Sequence, residues 1–449
     1  MARQSLDLGH TGVGRLFAEY YFPTLLSLSF SALLNVADGI FVGRGVGSDA
    51  LAAVNVAAPV FMVATGIGLM LGGGASVTGA VSLARGDKAG AGRYALQALL
   101  TSLAAGAVIC ATILLIPDKL CYIFGGSDVL LPYVRDYLYG LGLAMLCYGV
   151  MVAGMFVIRL DGSPRYAMMS NVIPAVLNII LDYLFVFPLG LGIGGAAWAT
   201  SISGFVGVVI VAIYFAFFSQ NVHLPRPNFS RRHLGNALRG VGDMCKIGLP
   251  ALIGDTAISF MLVIGNYMFI GALGEDGVAA FSVACYLMPI VFMFGNSIAQ
   301  SSMPIVSYNH GCGQDGRVRE TFRLSLAVGV STGLLVSAAV FGGGGALASC
   351  FLERGTRAFE LAESGIPLFA IGFVFFTLNI VLIGYLQSLE RSREATIFML
   401  LRGYALVFAL SLIMPELLGV AGLWLTVPAA EAVTLVAIVM CMARRKAKV

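Results

Sequence analysis

The chain has 449 residues, of which 59% are hydrophobic and only 11% are charged, and its formal net charge is +4. Soluble domains carry about a quarter charged residues, so this composition excludes an ordinary soluble protein and indicates that lipid covers much of the chain. The small positive charge is dispersed over short segments, which argues against nucleic-acid binding.

Twelve apolar segments are each long enough to cross a hydrocarbon core of about 30 Å. Backbone polar groups in lipid must be satisfied within the segment itself, so we predict that all twelve are helices. In chain order they lie at 16–41, 53–81, 94–116, 131–158, 166–188, 194–218, 247–271, 278–307, 323–343, 364–387, 395–414 and 420–442. The predicted fold is an all-α membrane protein with twelve transmembrane helices.

The positions of Lys and Arg predict the orientation in the membrane. An even number of spans places both termini on one side, and cytoplasmic loops carry an excess of Lys and Arg. If the termini are cytoplasmic, the outer loops hold only five of the 27 basic residues, namely Arg44, Lys119, Arg135, Arg354 and Arg357. We therefore predict a multi-pass protein of the cell inner (plasma) membrane with both termini inside.

The chain contains an internal repeat at an offset of about 227 residues. Three segments match in the same order: FVGRGVGSDALAAVNVA (41–57) with FIGALGEDGVAAFSVA (269–284), VSLARG (81–86) with VSYNHG (306–311), and PLGLGIGG (188–195) with PELLGVAG (415–422). We predict homologous six-helix bundles at 1–218 and 243–449, joined by a cytoplasmic linker at 219–242. Such repeats can expose a site between them alternately to each side of a membrane.

Four acidic residues lie well inside the predicted spans: Asp38, Asp182, Asp255 and Glu431. A charge inside lipid costs several kcal/mol, so such residues usually have a function or a specific partner. Histidine and cysteine form no cluster with the spacing of a metal or catalytic site. We therefore expect neither an enzyme nor a resident cofactor.

Three residues mark the predicted outer surface, and each lies six residues from a candidate: Arg44 follows Asp38, Pro188 follows Asp182, and Gly194 precedes Thr200. Asp38, Asp182 and Thr200 should therefore all lie about 9 Å below that surface. Asn35 and Asn178 lie one helical turn from Asp38 and Asp182 and share their faces. Oxygen ligands of this kind suit sodium, at Asp38, Asn178, Asp182 and Thr200, and two nearby carboxylates also favour binding of a proton. Each acid could instead fix packing through a hydrogen bond, but the matched depth on three helices favours cation coupling.

The second half of the repeat does not duplicate this acidic pair. Asp38 corresponds to Asn266, and Asp182 corresponds to the region of Ala409, so we predict that coupling occurs in the N-terminal half.

Asp255, Asn266 and Glu431 are candidates for a substrate site or a second ion site. For Asp255 and Glu431, pairing with Arg402 or a structural hydrogen bond remains an equal alternative. Arg402 could also extend towards the inner surface.

Four further segments occur in order across both halves: NVADGIFVGRGVGSDALAAVNVAAP (35–59), LNIILDYLFVFPLGLGIGGAAWAT (177–200), GNSIAQSSMPIVSYNHG (295–311) and LLGVAGLWLTVPAAE (417–431). In this order they resemble the multidrug and toxic compound extrusion (MATE) family. The resemblance implies two six-helix bundles arranged as a V, with a cleft between them. It also implies efflux of organic cations driven by entry of sodium or protons.

The resemblance is to the branch of that family whose cation-linked site lies in the N-terminal bundle. It implies ion-binding roles for Asp38 in span one, Asn178 and Asp182 in span five, and Thr200 in span six. Another branch uses a Glu in span seven and an Asp in span ten. Here span seven has Asp255, displaced in register, and the core of span ten has no acid.

The function expected from these features is an antiporter that exports organic, cationic small molecules in exchange for protons or sodium ions, with membrane lipid as its surroundings. The closest alternative is a flippase for a lipid-linked headgroup, which would favour a more basic cleft than these spans provide. A channel is a further alternative, and counterflow in proteoliposomes would distinguish it from a transporter.

Overall fold

The computed structural model describes residues 6–124, 126–226 and 231–446 and is almost entirely helical. Its helices, in chain order, are α1 (Val13–Gly45), α2 (Ser48–Ala84), α3 (Lys88–Leu115), α4 (Pro117–Ile123), α5 (Leu131–Leu160), α6 (Pro164–Val186), α7 (Gly192–Phe217), α8 (Arg231–Gly311), α9 (Asp315–Phe351), α10 (Arg357–Ala370), α11 (Gly372–Ser388), α12 (Ser392–Leu400), α13 (Leu406–Leu418) and α14 (Val420–Lys446). A π-helical turn, Leu401–Ala405, joins α12 to α13.

Each predicted span coincides with helical structure. Eleven continuous segments are long and apolar enough to cross a membrane within the described part of the chain. One of them, in α8, contains two predicted spans, and Gly274 separates these with non-helical dihedral angles (φ 70°, ψ −156°). The prediction of an all-α membrane protein with twelve spans is confirmed, with span ten divided between α10 and α11.

The backbone itself carries the internal repeat. Left-handed residues with positive φ recur at equivalent corners of the two halves, 227 or 228 residues apart. The pairs are Gly47 with Gly274, Gly86 with Gly313, Gly162 with Glu390, and Gly192 with Gly419. L-residues with a side chain rarely adopt this conformation, so four matched corners indicate one duplicated chain path.

Glu390 is the one residue other than glycine with positive φ among those described (φ 59°). The left-handed conformation costs a residue with a Cβ atom roughly 1 kcal/mol, and glycine occupies the equivalent corner of the first half. Glu390→Gly should therefore stabilise the protein by roughly 1 kcal/mol, measured as a higher midpoint of thermal unfolding in detergent. Glu320→Gly, inside helix α9, is the control and should lower the midpoint, because glycine weakens a helix interior. An unchanged or lower midpoint for Glu390→Gly would contradict this account.

The chain forms two compact units. The first comprises Met1–Leu252 and Pro304–Asp315, and the second comprises Ile253–Met303 and Gly316–Val449. The predicted boundaries of the bundles and of the linker at 219–242 stay a prediction, and residues 227–230 of that linker lie outside the described residues.

Helix α5 lies at the centre of the first unit, where α2, α3, α6 and α7 all pack against it. Small residues permit this close packing: a Cβ atom at Gly154 would lie 2.5 Å from Val211 Cγ1 on α7. In the second unit α14 packs against α10, α11 and α13, and the indole of Trp424 is buried among aromatic rings.

The carboxylate of Asp161, just after α5, holds the chain that leaves α7. It accepts hydrogen bonds from the backbone N–H groups of Gln220 (3.0 Å), Asn221 (2.6 Å) and Val222 (2.7 Å). The hydroxyl of Tyr214 donates a fourth hydrogen bond to it, at 2.5 Å. The first residues of the predicted linker are therefore attached to the first unit, a contact that the sequence reasoning missed.

Candidate functional site

The candidate coupling residues lie on three helices of the first unit. Asp38 is on α1, Asn178 and Asp182 are on α6, and Thr200 is on α7. Helix α6 packs against both α1 and α7. The four-residue spacing of Asn178 and Asp182 places both on the buried face of α6, so the pair points towards its neighbours and away from the protein surface.

The amide of Asn178 joins α6 to α7. The hydrogen-bond pattern assigns the amide orientation in which its nitrogen donates to Asp182 Oδ2 at 2.9 Å and its oxygen accepts from the backbone N–H of Thr200 at 3.0 Å. The amide also lies 3.3 Å from Thr200 Oγ1, which donates to the carbonyl of Ala196. The structure thus brings together three of the five candidate coupling residues, Asn178, Asp182 and Thr200.

The two carboxylates are enclosed but retain free acceptor atoms. Asp182 has 0% of its surface exposed, and Asp38 is half-buried on α1. Within the described residues, the Oδ1 atoms of both are buried and accept no hydrogen bond. The two groups also interact electrostatically with each other. Repulsion between them, with unused oxygens, suits the uptake of a proton or a small hard cation.

Tyr137 and Tyr148 on α5 face this acidic pair and interact electrostatically with both carboxylates. Sequence reasoning missed them, because neither is charged and 16 tyrosines occur in the chain.

Asn35 was predicted to join the coupling residues, but the structure places its side chain apart from them. Its side chain is exposed on α1 and forms no hydrogen bond with Asn178, Asp182 or Thr200 among the described residues.

The second unit contains a buried ion pair in place of an acidic pair. Arg402 Nη2 lies 2.7 Å from Glu431 Oε1, and the side chains are 6% and 5% exposed. Arg402 Nε lies 3.1 Å from each carboxylate oxygen, and Asn379 Nδ2 donates to Oε2 at 2.6 Å. The guanidinium also lies over the ring of Phe376, 4.3 Å from its centre. The carboxylate of Glu431 is therefore neutralised by a permanent cation.

Arg402 belongs to the π-helical turn Leu401–Ala405, and turns of this kind often occur at functional positions. Its side chain points inward to Glu431, so the expectation that it extends towards the membrane surface is wrong.

Asp255 is half-buried and Asn266 is exposed, both on α8. A role for Asp255, Asn266 or Glu431 at a substrate or second ion site stays a prediction.

The sequence profile of the MatE family matches residues 23–184 and 250–413. The chain belongs to the MatE family. The two matches begin 227 residues apart, which is the offset of the internal repeat. Membership confirms the resemblance to MATE proteins, and the protein is a multi-pass membrane transporter and not an enzyme.

The similarity to individual MatE proteins extends over almost the whole chain. The multidrug export protein MepA of Staphylococcus aureus (strain NCTC 8325 / PS 47) is 24% identical over 425 residues, covering 91% of this chain and 89% of MepA. An outward-facing multidrug resistance MATE family transporter of the MOP superfamily superposes with a TM-score of 0.90 at 23% identity, covering 99% of this chain and 98% of that one. A MOP superfamily transporter from Pyrococcus furiosus gives the same values. These likenesses confirm the fold.

Proposed function

We propose that this MatE transporter is a secondary active antiporter that exports organic, cationic compounds in exchange for protons or sodium ions. The relative MepA is named a multidrug export protein, which supports export of drug-like molecules. The observation that carries the coupling is the electrostatic interaction between two enclosed carboxylates, Asp38 and Asp182, which lie on different helices.

The coupling ion binds at Asp38 and Asp182. Asn178, itself held by the backbone N–H of Thr200, fixes the carboxylate of Asp182, and Asn35 lies one turn from Asp38 on α1. Binding removes the repulsion between the carboxylates and allows α1, which contains Pro23, to bend or repack. This change releases the substrate outward. By linkage, the ion and the substrate must then weaken each other's binding.

The chemistry of the second unit is a further argument that the coupling ion binds in the first unit, as in the family branch with an N-terminal cation site. Glu431 is neutralised by Arg402 and also accepts from Asn379, so binding a further cation there would require breaking the ion pair. Asp255, Asn266 and Glu431 remain candidates for contacts with the substrate. Both termini lie in the cytoplasm and the protein spans the cell inner membrane, as the distribution of basic residues predicts.

Reconstituted vesicles loaded with a fluorescent organic cation test this function. A pH gradient and a sodium gradient are imposed separately, each with the membrane potential clamped. One of them should drive dye movement against its concentration gradient, and substrate gradients should in turn move that ion. Dye movement only down its own gradient, whichever ion is supplied, would refute antiport and favour a channel.

A further inference from the structure

Between Tyr20 and Ile40, helix α1 turns a mostly polar side inward and a mostly apolar side outward. Tyr20, Thr24 and Ser27 are buried at three- and four-residue spacing, and Ser31 and Asp38 continue the same side of the helix. The opposite side exposes large apolar side chains: Phe22, Leu26, Leu33, Val36 and Ile40. We call the first set, with Asn171 of α6, the α1 polar face. From Tyr20 to Asp38 it extends over about 27 Å, close to the thickness of a hydrocarbon core.

The middle of the α1 polar face is a hydrogen-bonded cluster between α1 and α6. Asn171 Nδ2 donates to Ser27 Oγ at 2.9 Å, to Ser31 Oγ at 2.8 Å and to the carbonyl of Ser27 at 3.0 Å. Asn171 lies seven residues before Asn178 and eleven before Asp182 on α6, which places it about 10 Å from Asn178 and about 16 Å from Asp182 along the helix. The cluster therefore lies between the same two helices as the ion site, α1 and α6, but closer to the N-terminal end of each.

The end of this face away from the acidic pair is also polar. Thr24 is 1% exposed, and its Oγ1 has no hydrogen-bond partner among the described residues. One turn further, the hydroxyl of Tyr20 donates to the carbonyl of Arg159 at 2.8 Å. In addition, Pro174 cannot donate to the carbonyl of Ser170, which leaves a backbone acceptor on α6 beside Asn171. A buried hydroxyl without a partner costs about 1–3 kcal/mol unless water reaches it.

We propose that the α1 polar face is the release route by which the coupling ion passes from Asp38 and Asp182 to the side of the membrane that carries the N-terminus. The hydroxyls of Thr24, Ser27 and Ser31 and the amide of Asn171 replace part of the ion's hydration during this passage. The inference rests on the proposed function, since it assumes an ion site at the acidic pair. Packing alone does not require this polarity, because hydrogen bonds between membrane helices contribute only about 0.6 kcal/mol on average.

The test measures ion-driven transport rates in vesicles while the coupling-ion concentration is varied separately on each side. Asn171→Leu keeps a similar volume and removes the polar group, and it should slow transport about tenfold. In this variant the transport rate should depend differently on the ion concentration at the N-terminal side. Its dependence on the ion concentration at the opposite side should match that of the wild type. Ser29→Ala is the matched control on α1, where the hydroxyl donates to the carbonyl of Leu25 within the same helix, and it should transport normally.

A second substitution distinguishes a role of Asn171 in ion passage from a purely structural role in holding α1 against α6. Asn171→Ser cannot reproduce the three bonds of the amide, yet it keeps a polar atom in the route, so it should restore most of the rate lost in Asn171→Leu. An equally slow Asn171→Ser, or an Asn171→Leu with normal rate and ion dependence, would overturn the route. If Asn171→Leu fails to fold, the double variant Ser27→Ala/Ser31→Ala decides, with a normal rate again overturning it. Failure of the proposed function is distinct, because Asp38→Asn would then transport normally.

Discussion

Asp38→Asn should abolish ion-driven efflux completely while leaving the fold intact. The substitution keeps the shape of the side chain but removes the charge that interacts with Asp182, so ion binding no longer changes the electrostatic energy of the pair. Asp38 Oδ1 accepts no hydrogen bond from the described residues, so its replacement by an amide sacrifices no observed contact. The measurement is gradient-driven dye efflux from vesicles, compared with vesicles that lack protein.

Asp49→Asn is the matched control for this prediction. Asp49 lies in the first turn of α2, in the same unit, and its side chain is exposed. It should show wild-type efflux. Thermal unfolding of both variants in detergent should follow the wild type closely. Coupled efflux retained by Asp38→Asn would remove the acidic pair from the mechanism, whatever the substrate.

Arg402→Met should destabilise the second unit by about 3–5 kcal/mol, because it leaves the carboxylate of Glu431 buried without a counter-charge. The change also removes a cation from the face of Phe376. The midpoint of thermal unfolding in detergent is the measurement. Arg93→Met is the control, since Arg93 pairs with Asp87 at an exposed position, and surface pairs contribute only about 0–1 kcal/mol.

The double variant Arg402→Met/Glu431→Leu should recover most of the lost stability. Replacing both members of a buried pair by apolar side chains is often close to neutral, whereas removing one partner is costly. Asn379 would lose Glu431 Oε2 but keep its bond to the backbone carbonyl of residue 431, at 2.8 Å. A double variant as unstable as Arg402→Met, or an Arg402→Met as stable as the wild type, would show that the pair is not what stabilises this region.

Much of the fold followed from the sequence, because lipid imposes a simple rule on the backbone. Segments that are apolar over the thickness of a bilayer must form helices, so the spans could be placed from composition alone. The repeat was also visible in residues such as Gly192 and Gly419, which the structure shows to have nearly the same φ angle (60° and 58°). The prediction that Asp38, Asp182 and Thr200 lie at one depth rests on counting residues along straight helices.

Tertiary structure decided which side chains meet. Depth along a helix does not determine which neighbour a face contacts, so Tyr137 and Tyr148 could not be assigned to the acidic pair in advance. The choice of Glu431 as the partner of Arg402 depends on a π-helical turn, which shifts the helix face by a fraction of a turn and has no clear sequence signature. The sequence by itself determined how many helices cross the membrane and which charged residues fall within them, because both depend on local hydrophobicity. Only the packed structure decided the pairing of those charges, because pairing depends on rotation and contact between helices distant along the chain.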